Sequence, residues 1–229
     1  MAKAAARTAA VFGASGQLGR AVCGALRAAG GWRGWAVDPA LPHGAATATE
    51  GHALWGKDGP FATFANVGEL PTIPERFVDA VVHVAGGFAG SAQIGDRAVA
   101  ERMLAANLLS AVDAAGFAQR HLKPGGVVVL TGSRAARDGP TAFAAAYGAS
   151  KAGVHHLAAT LAWRGVLPDG ARVVCLLPGV LDTPSNRAAM PDADTSEWTP
   201  LPVAARLVVG ALEGRRLGTE PNKPEFVEV

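Results

Sequence analysis

The sequence predicts an α/β fold: a single domain over residues 1–229 built on a doubly wound parallel sheet of about seven strands. Three observations carry this. A chain of 229 residues holds seven strands and their crossover helices in one core and leaves little for a second domain. Apolar runs of strand length alternate with alanine-rich stretches of helical period, the signature of βαβ units. With 49% hydrophobic and 17% charged residues, the composition suits a sheet buried on both faces.

In order, strands are expected at Thr8 to Phe12, Trp35 to Val37, Ala80 to Val84, Val127 to Thr131, Arg172 to Leu177 and Phe226 to Val229. A third strand near His52 to Trp55, with a short helix, is expected in the poorly patterned stretch from Pro39 to Glu75. Helices are expected at Leu18 to Ala29, within Asp96 to His121, at Tyr147 to Trp163 and at Val203 to Leu212. Gly30-Gly31, Pro124-Gly125-Gly126 and Pro168-Asp169-Gly170 each read as a helix stop before the next strand. The segment from Pro178 to Pro202 is long for a plain connection and reads as a functional loop.

Several function classes are disfavoured. The formal net charge is only +2, and the basic residues form no run, so a nucleic-acid partner is not expected. No apolar run reaches the roughly 18 residues of a membrane span. Met1 to Arg7 is a short basic tail without an apolar signal core, so the cytosol is the default compartment. Cys23 and Cys175 read as buried small hydrophobes. No His/Cys set stands at metal spacing, and the adjacent His155 and His156 point in different directions on their helix, so no metal is expected.

Gly13-Ala14-Ser15-Gly16-Gln17-Leu18-Gly19 follows the first strand and opens the first helix. Glycines at this spacing permit a tight turn, close approach of backbone to a pyrophosphate and close helix packing, with free N–H groups at the helix start facing the phosphates. Asp38 ends the second strand about 20 residues beyond the last glycine, where a carboxylate holds the adenine ribose hydroxyls. It accepts from a diol and repels a 2′-phosphate, so NADH is expected over NADPH; nearby Arg20 and Arg33 soften that preference. The alternative is a solvated Asp-Pro turn.

Tyr147 and Lys151 stand four apart on one helical face. A free tyrosine has a pKa near 10, and bringing it down to neutrality takes about 4 kcal/mol. A cation about 4 Å away, at an effective dielectric near 20, supplies about that much. Spacing alone would equally allow a surface Tyr/Lys pair.

The glycine turn, Val84-Ala85-Gly86-Gly87, Tyr147-x-x-x-Lys151 and Pro178-Gly179-x-x-x-Thr183 occur in the order of the short-chain dehydrogenase/reductase family, which the chain resembles over most of its length. The resemblance implies a Rossmann-like sheet and hydride transfer from a nicotinamide. It implies Tyr147 as proton donor, Lys151 as ribose ligand and tuner of Tyr147, Ser133 beside the substrate and Asn107 in a water relay. Ala85, Gly86, Gly87, Pro178, Val180 and Thr183 then line the cofactor.

Within the family, Ala85-Gly86-Gly87-Phe88-Ala89-Gly90 and the run from Leu181 through Asn186 and Met190 to Trp198-Thr199-Pro200-Leu201 are similar to the dihydropteridine reductase branch. That similarity implies a quinonoid dihydropterin substrate, contacted by Phe88, Ser133, Tyr147, Asn186 and Trp198, and a homodimer or tetramer packed through the alanine-rich helices from Asp96 and Tyr147. There are departures: Ser133 and Asn107 restore the general family's polar pair, Phe88 stands where the branch carries tryptophan, and the interval from Ser133 to Tyr147 is one residue longer. Trp198 and Met190 read as a core plug or as a lid over the substrate, with the lid preferred. Two competing functions stay open: reduction of another carbonyl or a quinone, and a non-catalytic dinucleotide sensor. The intact Tyr147/Lys151 pair argues against the sensor.

Overall fold

The computed structural model describes residues 6–38, 63–64, 74–91, 93–215 and 223–229. The strands are β1 (Arg7–Phe12), β2 (Trp32–Val37), β3 (Thr63–Phe64), β4 (Val78–His83), β5 (Leu122–Thr131), β6 (Arg172–Leu177), β7 (Leu181–Asp182), β8 (Thr199–Pro200) and β9 (Glu225–Glu228). The helices are α1 (Gln17–Ala29), α2 (Arg97–Met103), α3 (Ser110–His121), α4 (Arg134–Asp138), α5 (Ala145–Ala162), α6 (Pro184–Ala189) and α7 (Leu201–Leu212), with a π-helical turn, Leu104–Leu109, joining α2 to α3.

Seven strands form one sheet in the order β3-β2-β1-β4-β5-β6-β9, and every pair is parallel. The chain leaves β1 outward to β2 and β3, then returns to β4 on the other side. That reversal opens a crevice beyond the C-terminal ends of β1 and β4, where open α/β sheets bind ligands. Strand alternation divides the core. Ala9 and Val11 of β1 pack with Val22 and Leu26 of α1 and Val208 of α7, whereas Ala10 and Phe12 pack with Phe117 of α3 and Val154 of α5. Cys23 and Cys175 fall in opposite layers, both free and buried, and burial pushes each thiol up to about 12.

Three expectations need correction or bounding. The strand expected near His52 to Trp55 lies outside the described residues, and Thr63–Phe64 forms the β3 edge. Pro124-Gly125-Gly126 is no helix stop: α3 ends at His121 and β5 begins at Leu122, so these residues lie inside the strand. The β4–β5 register shifts there, between Val78 and Ala80, and Gly125 takes φ +73°, the backbone expected where Pro and Gly interrupt a ladder. The long helix from Asp96 is interrupted by the π-helical turn containing Asn107, a distortion common at functional positions. Asp96 caps α2, accepting the Val99 N–H at 3.1 Å.

Candidate active site

The glycine turn brings backbone to the crevice in the way its spacing suggests. Gly13 has φ +84°, and a Cβ there would overlap the backbone of Ala85, so β1 and the loop after β4 meet only because position 13 lacks a side chain. A Cβ on Gly19 would likewise overlap Gly13 O and crowd Ala14. The N-cap of α1, Gly16, supplies no side-chain cap, the first turn holds no acidic residue, and Gly16 and Gln17 are exposed. These first-turn N–H groups are suited to a pyrophosphate, and the turn fits a dinucleotide. Leu18 instead packs into the core.

Asp38 is nearly buried at the end of β2, and its Oδ2 accepts the Ser15 N–H at 3.0 Å. The carboxylate thus joins the second strand to the glycine turn. Arg20 donates from Nε to Ser15 O at 2.8 Å, placing it at the same turn. Arg33 does not belong there: it sits near the opposite end of β2, paired with Thr8, five residues or roughly 16 Å of strand from Asp38. It lines a cavity with Trp35, Arg76 and Lys123 at the N-terminal ends of the strands, away from the crevice.

On the other side of the crevice the site is built from buried side chains. Asn107 is fully buried. Its Oδ1 accepts the Gly87 N–H at 2.9 Å, and its Nδ2 donates to Gly87 O at 3.1 Å and to Ser150 Oγ at 3.0 Å. Ser150 Oγ in turn donates to Tyr147 O at 2.7 Å. Through these bonds Asn107 fixes both the loop after β4 and the first turn of α5. Gly86, at φ +148°, leaves room for Asn107 and Lys151, since a Cβ there would lie 2.6 Å from Asn107 Oδ1 and 3.2 Å from Lys151 Nζ.

Lys151 is buried and donates from Nζ to Thr131 O at 2.8 Å. Burial lowers its pKa to about 8. Tyr147 departs from expectation: burial pushes its phenol above the ordinary value, and the opposing influence comes from the Ser133 side chain, not Lys151. Desolvation dominates, and the Lys151 ammonium is engaged by the Thr131 carbonyl. Ser133 is buried at the N-cap of α4 but makes no side-chain cap bond, which leaves its hydroxyl for Tyr147.

Phe88 stands with its ring 5.0 Å from that of Tyr147, at 68°, and is 68% exposed, so it forms an open aromatic wall. Phe143, unpredicted, is also exposed, and its carbonyl accepts the Ser91 N–H at 3.0 Å, tying the loop before α5 to the loop bearing Phe88. Of the segment after β6, Pro178 O accepts the Arg134 N–H at 3.0 Å, Val180 O accepts the Thr199 N–H at 2.8 Å, and Thr183 caps α6 through the Asn186 N–H at 3.1 Å. Two proposed substrate contacts fare differently from Phe88. Asn186 donates its amide to Leu181 O at 2.8 Å, so it shapes its own loop. Trp198 is buried at 8% exposure and serves as the plug, leaving the more exposed Met190 on the loop surface.

Sequence reasoning passes over Ser150, Thr131, His83 and the role of His155. Their signal is weak because each acts through a polar atom toward backbone or another buried group. His83 Nε2 donates to Ser110 Oγ at 2.9 Å, since that hydroxyl already donates to Ala106 O at 2.7 Å. Its Nδ1 has no partner among the described residues, and burial, then Lys151, lowers its pKa to about 3. Among those residues no group of three His, Cys, Asp or Glu side chains is placed to hold a metal, and no helix is long and apolar enough to cross a membrane.

The sheet order and switch-point crevice are those of a dinucleotide-binding α/β fold, and the comparisons agree. Residues 7–194 match the short chain dehydrogenase family, and the chain belongs to it, a family of NAD(P)(H)-dependent oxidoreductases. It is similar to a dihydropteridine reductase of Dictyostelium discoideum, 42% identical over 127 residues, which are 54% of this chain and 54% of that protein. The match thus spans about half the length of that relative. Among solved structures, a short-chain dehydrogenase/reductase from Serratia marcescens superposes with a TM-score of 0.72 at 23% identity, over 97% of this chain and 96% of its own. An NADH-dependent reductase responsible for alginate metabolism gives 0.74 at 21%, over 97% and 96%. At these identities the structures show the shared fold.

Proposed function

We propose that the protein reduces a quinonoid dihydropterin to the tetrahydropterin at the expense of NADH. The observation that carries this reading is the 42% identity to a dihydropteridine reductase. The exposed Phe88 wall against Tyr147 supports it, because a flat heteroaromatic ring covers such a wall well. NADH, when bound, supplies the hydride. Tyr147 donates the balancing proton, Ser133 holds the phenol and the substrate, and Lys151 binds the nicotinamide ribose. Pro178, Val180 and Thr183 border the same cleft. Asp38, facing the adenine ribose, favours NADH over NADPH.

A second reading, reduction of a small ketone or quinone on the same scaffold, is favoured by the buried Ser133 hydroxyl that acts on Tyr147, a pair that equally polarises a carbonyl. Leu104, Leu109 and Val112 are exposed along the π-helical turn and α3, and we assign this apolar face to a homodimer contact. The deciding experiment follows NADH oxidation with quinonoid dihydropterin, using a ketone and a quinone as controls. Preferential turnover of the pterin is expected; turnover of a control alone transfers the assignment to the second reading.

A further inference from the structure

His155 lies one helical turn beyond Lys151 on α5, and its ring packs against the backbone that leads into Ser133. A Cβ on Gly132 would overlap His155 Nε2. That same nitrogen accepts the Ser133 N–H at 3.1 Å. The accepting nitrogen carries no proton, so the neutral ring must be the Nδ1–H tautomer. Phe226 of β9 meets the ring edge-on, at 5.8 Å and 81°, and restrains it from the other side.

Ser133 is unusual for a serine at a helix start. Its backbone has the extended form usual for an N-cap, yet it makes no side-chain cap bond, although capping is the common use of such a residue. The next residue is also pinned, because the Arg134 N–H donates to Pro178 O at 3.0 Å. The peptide on either side of the Ser133 Cα is therefore anchored, on one side by His155 and on the other by the cofactor-side loop. The hydroxyl that acts on Tyr147 is thus carried on a backbone anchored on both sides.

We propose that His155 is a positioning residue for Ser133: its neutral imidazole holds the Ser133 N–H and so aligns the hydroxyl with Tyr147, and protonation of the ring releases that alignment. The inference rests on the roles given above to Ser133 and Tyr147. A protonated ring would oppose one donor with another, which no small rotation repairs. The surrounding charges resist protonation. Burial, Lys151 on the same helix and Arg137 on α4 all lower the His155 pKa. Arg137 is itself paired with Asp138 at 2.8 Å and with Glu228 of β9 at 2.7 Å. Cys175 of β6 lies beside Gly132 with its thiol raised to about 12, hence neutral. An acid limb in turnover is thus expected below the ordinary imidazole range.

The test compares His155→Gln, which can present an acceptor near the Nε2 position without titrating, with His155→Leu, which cannot accept. In the parent, the Ser133 amide resonance, followed by NMR across the acid range, should move with the same midpoint as the His155 ring proton. In His155→Gln that movement should vanish, turnover at neutral pH should stay within about threefold, and the acid limb should flatten. His155→Leu should lower kcat about three- to tenfold, the worth of one hydrogen bond, with NADH affinity unchanged. A Ser133 amide that ignores the His155 titration, or an acid limb that survives in the Gln variant, would overturn the proposal. The NMR arm needs no substrate. If the parent reduces only a control ketone or quinone, the pterin reading fails while the ratio between variants, measured on that control, still decides the role of His155.

Discussion

The two walls of the crevice are made by different means. On the β1–β2 side the site is backbone: a turn whose glycines leave space, free amides at the start of α1, and one carboxylate, Asp38, holding Ser15 N. On the β4–β5 side it is side chains. Asn107, Ser150 and Lys151 are buried and linked by hydrogen bonds to each other or to backbone, Ser133 is buried and held by His155, and Tyr147 stands beside them. The first wall is governed by whether an atom fits, the second by where charge and protons reside. Substitutions on the first should therefore alter stability and cofactor binding, and those on the second turnover and its pH dependence.

The largest expected effect lies on the side-chain wall. Tyr147→Phe keeps the ring packed against Phe88 and removes only the hydroxyl. It should lower kcat by roughly 10²- to 10⁴-fold, the usual worth of general acid catalysis, with NADH affinity within about twofold of the parent. Stopped-flow turnover together with a fluorescence titration separates the two quantities. A variant retaining near-parent kcat would remove the proton-donor role and the contrast between the walls with it.

On the backbone wall the corresponding change is Gly13→Ala. The left-handed conformation costs about 1–2 kcal/mol for a residue with a Cβ, and overlap with Ala85 adds a further ~1–3 kcal/mol of overpacking. Urea unfolding should show that loss, accompanied by weakened NADH binding. If only binding suffered and stability were unchanged, the turn would be a ligand loop and not a contact between β1 and β4.

This division also explains what is legible in the sequence. The glycine turn, Asp38 and Tyr147/Lys151 are visible because backbone space and helical spacing leave fixed intervals in the chain. All seven strands of the sheet follow from apolar runs except the β3 edge, where short strands offer little period. The Asn107–Ser150 and Thr131–Lys151 connections cannot be read in detail, since they join residues 43 and 20 apart through single polar atoms. Trp198 cannot be assigned to plug or lid because an aromatic in an irregular loop reads alike in both. The spacing of Tyr147 and Lys151 points to the wrong direction of the tyrosine pKa for a related reason: spacing reveals a neighbouring cation but not the depth of burial.

His83 gives a smaller, purely thermodynamic contrast. Its folded pKa of about 3 lies below the ordinary value of 6.5, so between these values the unfolded chain binds a proton that the folded chain refuses. Stability from this residue is therefore full above the upper value and falls as pH drops through the window. The slope should approach one proton, about 1.4 kcal/mol per pH unit. Replacing His83 by Asn removes the titration. Unfolding curves for parent and variant from pH 4 to 7 should diverge in slope; parallel curves would place the acid sensitivity elsewhere.

The finest distinction concerns Asp38, where the backbone wall carries its carboxylate. The carboxylate is nearly buried and accepts the Ser15 N–H, which orders the turn and also brings a negative charge to the end of β2, the position suited to a ribose diol. With NADH the diol donates to it. With NADPH the 2′-hydroxyl donor is lost and a dianionic phosphate stands in its place. Asp38→Ser keeps a hydroxyl acceptor near the turn and removes the charge, so it should weaken NADH and improve NADPH relative to it. Each 1.4 kcal/mol moves the ratio of dissociation constants about tenfold, and charge-assisted hydrogen bonds worth roughly 1.5–3 kcal/mol predict a change of about one to two decades. Arg20, at the same turn, should assist the phosphate in the variant, whereas Arg33→Ala should leave the ratio unchanged because Arg33 lies toward the other end of β2. Fluorescence titration of both cofactors against both variants measures this. A fall in affinity for NADH and NADPH alike in Asp38→Ser would mean that Asp38 serves only to hold Ser15, and that this wall selects its cofactor by shape with no contribution from charge.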